Sequence, residues 1–254
     1  MKSIHARNLF IALMFALSLA ETASGAQDGK WSYSGATGPA KWAKLDKGYA
    51  ACAEGQFQSP IDIPDSKVRK GDFPSMLFNY RPAPLTVLDD GHTIVAKIAP
   101  GSGMTLDGVH YDLTALEFHK PSEIKVNGKA YEMQVDLVHK TKDGKLVILA
   151  VPLDAGKESP AMKAVLANLP PVKGKEIAVP AVTINAVDFL PANKDYYGFT
   201  GSLTTPPCTE NVEWIALKAP GSLSADQIAR FGKLYPMNAR PVQPFNGRDM
   251  QSTH

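Results

Sequence analysis

Leu113-Thr114-Ala115-Leu116-Glu117-Phe118-His119-Lys120-Pro121-Ser122-Glu123, followed by Met133-Gln134-Val135-Asp136-Leu137-Val138-His139, is the stretch on which the reading of this chain turns. Both segments have the length and the apolar-polar mixing of strands, and Asn127-Gly128 between them is a hairpin turn signal that favours antiparallel pairing. Side chains alternate faces along a strand, so Glu117 and His119 share one face, whereas Asp136 and His139 lie on opposite faces.

Working outward, Thr93 to Ile98, Leu146 to Leu153 and Val212 to Leu217 also read as strands. Turn signals separate these runs: Asp89-Asp90-Gly91, Gly101-Ser102-Gly103, Asp107-Gly108 and Asp143-Gly144. Helices are few. Ser159-Pro160 caps and starts one reaching about Asn168, and Ser224-Ala-Asp-Gln227 is a capping box opening another to about Leu234. The chain is therefore mostly β with peripheral helices, a pattern shared by sandwiches, barrels and large open sheets.

With 254 residues, 44% hydrophobic and 20% charged, the chain is large enough for one sizeable core. A net charge of +2 without long runs of one sign gives no nucleic-acid footprint and no polybasic membrane patch. At the N-terminus, Lys2, His5 and Arg7 precede the apolar run Leu9 to Ala20, and small residues follow at Ser24-Gly25-Ala26. That is the layout of a signal peptide, with residues 1–26 removed and a single domain over 27–254. The apolar run is too short for the roughly 20 residues of a membrane-spanning helix. Only Cys52 and Cys208 are present, both in the exported part, and an oxidising compartment is expected to join them. Two separate buried thiols are the alternative.

Several phrases are more specific: Trp31-Ser-Tyr33, Gly38-Pro39 with Trp42, Gln58-Ser-Pro-Ile-Asp-Ile63, Asp90-Gly-His92, Pro121-Ser-Glu123, Gly201-Ser-Leu-Thr-Thr-Pro-Pro207 and Asn238-Ala-Arg-Pro-Val-Gln-Pro244. In this order and spacing, from about Trp31 to Arg248, the chain resembles bacterial α-carbonic anhydrases. The resemblance implies a twisted, mostly antiparallel sheet of about ten strands with a conical cavity reaching its centre. It makes Cys52–Cys208 similar to the disulfide of secreted members, and favours a periplasmic or secreted location. It also implies a small-molecule substrate, carbon dioxide or bicarbonate, if the site is active.

Family chemistry uses zinc held by three neutral histidines, with water in the fourth position. That water has a pKa of about 7, a value known for this family rather than read from this sequence. Aligned on Pro121-Ser-Glu123, His119 keeps the second ligand position but Glu117 stands in the first; aligned on Leu137-Val-His139, Asp136 stands in the third. Two histidines have become carboxylates, and His139 cannot replace Asp136 because it faces the other way.

Other positions match by resemblance. Thr204 corresponds to the threonine that orients hydroxide, Glu123 to the glutamate accepting its proton, His92 to the proton shuttle and Tyr33 to the tyrosine of the proton path. Val138, Ile148, Leu203, Val212 and Trp214 correspond to the apolar pocket wall. Around the ligands the chain departs further, with Ala115 and Gln134 where polar or acidic residues support the family's histidines, and Val95 at a position often polar.

Three readings follow. The cluster is a hydrogen-bonded set without metal in a non-catalytic binding or structural member, with a protein partner that the sequence does not identify. Or it holds a harder divalent cation, or zinc weakly. Or carbonic anhydrase activity survives. The first is the expectation carried forward.

Overall fold

A computed structural model describes residues 31–71 and 76–253. The expected signal peptide, residues 1–26, lies outside the described residues. A thirteen-stranded sheet forms the centre, and its main path orders ten strands: Glu176–Ile184, Ala83–Asp89, Ile94–Lys97, Val109–His119, Met133–Lys140, Leu146–Ala155, Glu210–Leu217, Tyr196–Ser202, Met250–Ser252 and Arg69–Lys70. Neighbours pair antiparallel except at Leu146–Ala155 with Glu210–Leu217 and at Met250–Ser252 with Arg69–Lys70. The expected mostly antiparallel sheet of about ten strands is therefore what the main path shows.

The first deciding strand starts earlier than the sequence indicated, at Val109 rather than Leu113. Its early half forms a hairpin with Gly103–Leu106 through Asp107 and Gly108, whose φ values of 49° and 75° are the left-handed pair a tight hairpin requires. The two expected helices are Pro160–Ala167 and Ala225–Leu234. Ser159 Oγ accepts from the Met162 N–H, and Ser224 with Gln227 completes the capping box.

Alternation along the strands divides the sheet into two faces. Leu116, Phe118, Val135, Leu137, Leu149, Val151 and Ile215 pack on one face beneath both helices. On the other, Ile148, Ala150, Tyr197, Phe199, Val212, Trp214 and Ala216 form a second apolar cluster with Ile61, Ile63 and Ile124. Glu117, His119 and Asp136 are one residue out of phase with the helix-covered face, so they stand on this second side. His139 lies on the helix side, fully buried, with Nε2 2.8 Å from Tyr80 Oη.

Two of the quoted phrases lock to each other. The Ser59 N–H donates to Ser202 Oγ at 2.8 Å, and the Ser202 N–H donates to Ser59 Oγ at 3.1 Å. Trp214 Nε1 donates to the Ser202 carbonyl at 2.9 Å, fixing the turn that carries Thr204 against the sheet. Cys52 and Cys208 are disulfide-bonded across 156 residues, as expected.

Candidate functional site

Cross-strand register builds the site. Glu117 lies directly opposite Asp136 and His119 opposite Gln134, while Ala150 flanks Asp136 from the next strand. Opposed residues of an antiparallel pair present their side chains to the same face, so a single imidazole shares its surroundings with two carboxylates. His119 and Asp136 are each 2% exposed and Glu117 is half-buried.

Each of the two deepest groups is held from behind. His119 Nδ1 donates to the Asn238 carbonyl at 2.9 Å, which leaves Nε2 facing Asp136 Oδ2 at 3.6 Å. Gln134 bridges backwards: its Oε1 accepts the Ile124 N–H at 3.1 Å, so its Nε2 is the atom that donates to Asp136 Oδ1 at 2.7 Å. A backbone N–H can only donate, and this fixes which end of the Gln134 amide meets the carboxylate. Asn238 is tied by its own side chain, accepting from the Lys120 N–H and donating to the carbonyls of Phe118 and His92.

Glu123 is the third buried carboxylate. Its Oε1 accepts the Arg240 N–H at 2.8 Å and lies 3.8 Å from His119 Nδ1, while Oε2 has no hydrogen-bond partner among the described residues. One donor atom from each of His119, Glu123 and Asp136 falls within 4.8 Å of the others, a grouping that does not include Glu117. Thr204 is buried, but no hydrogen bond joins it to Glu123 among the described residues, so the expected hydroxyl-carboxylate pair is not formed.

Electrostatics follow from the crowding. Burial raises the Asp136 carboxyl to about 7, reinforced by Glu123 and Glu117 and opposed by His119 and Gln134. Burial would lower His119, but Glu123, Asp136 and the Asn238 carbonyl carry it to about 9. Glu117 is also raised, by burial first, with His119 opposing and Asp90 and Glu123 adding. The Tyr33 hydroxyl is buried without a hydrogen-bond partner among the described residues, and burial followed by the Glu123 charge raises its pKa.

His92 is stacked on Trp31, with ring centroids 3.6 Å apart, and its Nε2 donates to the Trp31 carbonyl at 3.0 Å. That ring borders a cavity of about 410 Å³ lined in part by Tyr33, Asp90, Lys173 and Tyr235. Of the expected apolar wall, Ile148, Val212 and Trp214 are buried, Leu203 packs against them, and Val138 sits opposite Ile148 in register. Asn238 and Arg240, central to the hydrogen bonding, were quoted from the sequence only as motif letters. The side-chain bond from Gln134 to Asp136 was not anticipated either, although both residues stood in the quoted stretch.

The likeness to known proteins extends across the fold. Residues 37–254 match the family model described as eukaryotic-type carbonic anhydrase. A carbonic anhydrase of Nostoc sp. is 37% identical over 221 residues, covering 86% of this chain and 84% of the relative. Among solved structures, a hyperthermostable carbonic anhydrase from an active hydrothermal vent chimney superposes with a TM-score of 0.83 at 40% identity, over 88% of this chain and 100% of that one. The α-carbonic anhydrase of Thermovibrio ammonificans, solved in complex with sulfanilamide, gives a TM-score of 0.82 at 37% identity, over 87% and 98% of the two chains. Sheet, motif order and sequence similarity agree, and this chain belongs to the α-carbonic anhydrase family.

Proposed function

We propose that this chain is an exported member of the family whose hydration of carbon dioxide is absent or far below that of relatives with three histidine ligands, leaving a binding or structural role. The observation that carries the reading is the register pair Glu117–Asp136 beside the single imidazole of His119. The family's zinc centre needs three neutral nitrogens and an open position for water. Here one nitrogen is supplied, and the facing positions supply anionic oxygens, so the residues do not fit that centre. Carboxylate donors reduce the effective charge of a cation, and with it the acidification of bound water that makes a nucleophile at neutral pH. The missing Thr204–Glu123 hydrogen bond points the same way, since among the described residues Glu123 does not hold the Thr204 hydroxyl that would orient a hydroxide. Export is supported by the Cys52–Cys208 disulfide.

The test is a carbon dioxide hydration assay of the purified protein after zinc loading, with zinc content measured by elemental mass spectrometry. Negligible, sulfonamide-insensitive activity is expected. Intact mass of the exported protein, expected to lack residues up to about Ala26, tests the location.

A further inference from the structure

The face of the sheet turned away from Glu117, His119 and Asp136 carries a cavity of its own. Alternation along Glu210–Leu217 places Val212 and Trp214 in the apolar cluster on the site's side and Ile215 in the cluster beneath the helices, so Glu213 stands on the latter side as well. There a cavity of about 400 Å³ is lined by Val147, Gly198 and Ile215 from three neighbouring strands and by the rings of Tyr111 and Tyr196. Leu106, Asp107 and Val109 of the hairpin turn line it too, and Val109 is an exposed apolar side chain. Both the size and the mixture of apolar wall with a few polar groups are those of a small-molecule site.

Glu213 is half-buried in this wall, and its side chain's one hydrogen bond among the described residues comes from Thr200 Oγ1 to Oε2 at 3.2 Å. Lys145 stands at the cavity, yet no ion pair joins it to Glu213 among the described residues. Burial raises the Glu213 pKa, and only the Thr200 hydroxyl opposes it. The Tyr111 and Tyr196 hydroxyls are each raised by burial first and by the Glu213 charge next, so this carboxylate acts on both phenols. A desolvated carboxylate without a counter-ion is costly, and a cation relieves the cost. Aromatic faces attract a cation as well. Gly198 is a separate feature. Its φ is not left-handed, and beyond its chain neighbours a Cβ there would meet only the Tyr196 ring, at 3.6 and 4.0 Å, so neither backbone nor crowding calls for glycine. Within a strand paired on both sides glycine weakens the sheet, and it recurs where a ligand approaches closely.

We propose that this cavity binds a primary ammonium ion carrying an aromatic body, with Glu213 accepting from the ammonium and the body lying over Gly198 against Val147 and Ile215. Apolar walls and an unpaired carboxylate call for both characters in one molecule. A neutral alcohol of the same shape leaves Glu213 without a counter-ion, and an anion meets the charges of Glu213 and Asp107. The inference stands apart from the reading of the site on the other face, and hydration activity of any level leaves it intact.

The experiment is a calorimetric titration of the disulfide-intact protein at neutral pH with benzylamine, with benzyl alcohol and benzoate as its neutral and anionic counterparts, and with amide chemical shifts followed by nuclear magnetic resonance. Saturable binding of one benzylammonium per chain is expected, with the largest shifts around Gly198 and Glu213. Benzyl alcohol and benzoate should each bind about tenfold more weakly or worse, the difference that a hydrogen bond between charged groups makes. Glu213→Gln should weaken benzylamine about tenfold or more and leave benzyl alcohol nearly unchanged. Gly198→Leu should abolish binding of both by filling the floor. If that variant does not fold, Gly198→Ala adds one carbon in ordinary contact with Tyr196 and should weaken binding in the same direction. No saturable binding, benzylamine no tighter than benzyl alcohol, natural affinity in Glu213→Gln or Gly198→Leu, or shifts centred on His119 and Thr204 would overturn the assignment. A dimer of the natural protein that Gly198→Leu dissociates would overturn it too, since a second copy would then be the occupant.

Discussion

At the scale of single residues, Glu117, Gln134 and Asp136 differ from the pattern that the resemblance implies in one chemically coherent way. An imidazole ligand offers an N–H to its supporting group, and a glutamate can accept it; a carboxylate ligand offers only lone pairs, and Gln134 donates to it at 2.7 Å. On the proposed reading, full restoration of hydration therefore calls for changing the support together with the ligands. Glu117→His with Asp136→His is expected to raise zinc affinity and hydration, each single change doing less than the pair. Adding Gln134→Glu should raise activity further, by about 10 to 100-fold over the double variant, because the new imidazole at 136 then has an acceptor. Ala115 still offers no side-chain hydrogen bond near residue 117. Hydration and zinc affinity measured across the series decide this; a triple variant no better than the double would show that Gln134 is not tuned to Asp136.

At the scale of elements, the two deciding strands were legible because their polar positions are spaced by two, and because Pro121-Ser-Glu123 and Leu137-Val-His139 anchor the alignment at both. The helices were legible from their caps. Ser224→Ala should cost about 1 kcal/mol in denaturant unfolding, since it leaves the first-turn N–H of Gln227 without its acceptor. The long-range bonds were not legible: nothing in local spacing says that the Asn238 carbonyl meets His119 across 119 residues, or that the Arg240 N–H meets Glu123 across 117. The edge strand Glu176–Ile184 was also missed. It carries Pro180 beside a register shift between Val179 and Thr183, so neither clean alternation nor an uninterrupted apolar run marks it. The quoted phrases were read as family markers, yet their physical role is to join the site's surroundings, as the reciprocal Ser59–Ser202 bonds do.

For the molecule as a whole, stability should depend on pH through His139, on the opposite face of the sheet from the site. Burial lowers His139 from an ordinary value near 6.5 to about 4, with the Leu137 and Val147 backbone opposing. The unfolded chain therefore binds more protons than the native one between those values, and stability falls as pH drops from about 6.5 toward 4. The loss from this group is about 3 kcal/mol when complete. His139→Gln should be less stable at pH 7 yet lose less on acidification, which urea unfolding at pH 7 and pH 4.5 would show; an unchanged acid slope would contradict the assignment. Reduction of the Cys52–Cys208 bridge, which closes a loop with a sequence separation of 156, should lower stability by up to about 5 kcal/mol on the chain-entropy account.

On the proposed reading, the fold is kept while the electrophile of the family's reaction is lost through Glu117 and Asp136. The most direct test is carbon dioxide hydration by the natural, zinc-loaded protein, compared with Glu117→His/Asp136→His prepared identically. Activity at or near the uncatalysed rate in the natural protein, rising in the double variant and then blocked by a sulfonamide, is the predicted result. Sulfonamide-sensitive hydration by the natural protein at the level of its three-histidine relatives would contradict the account.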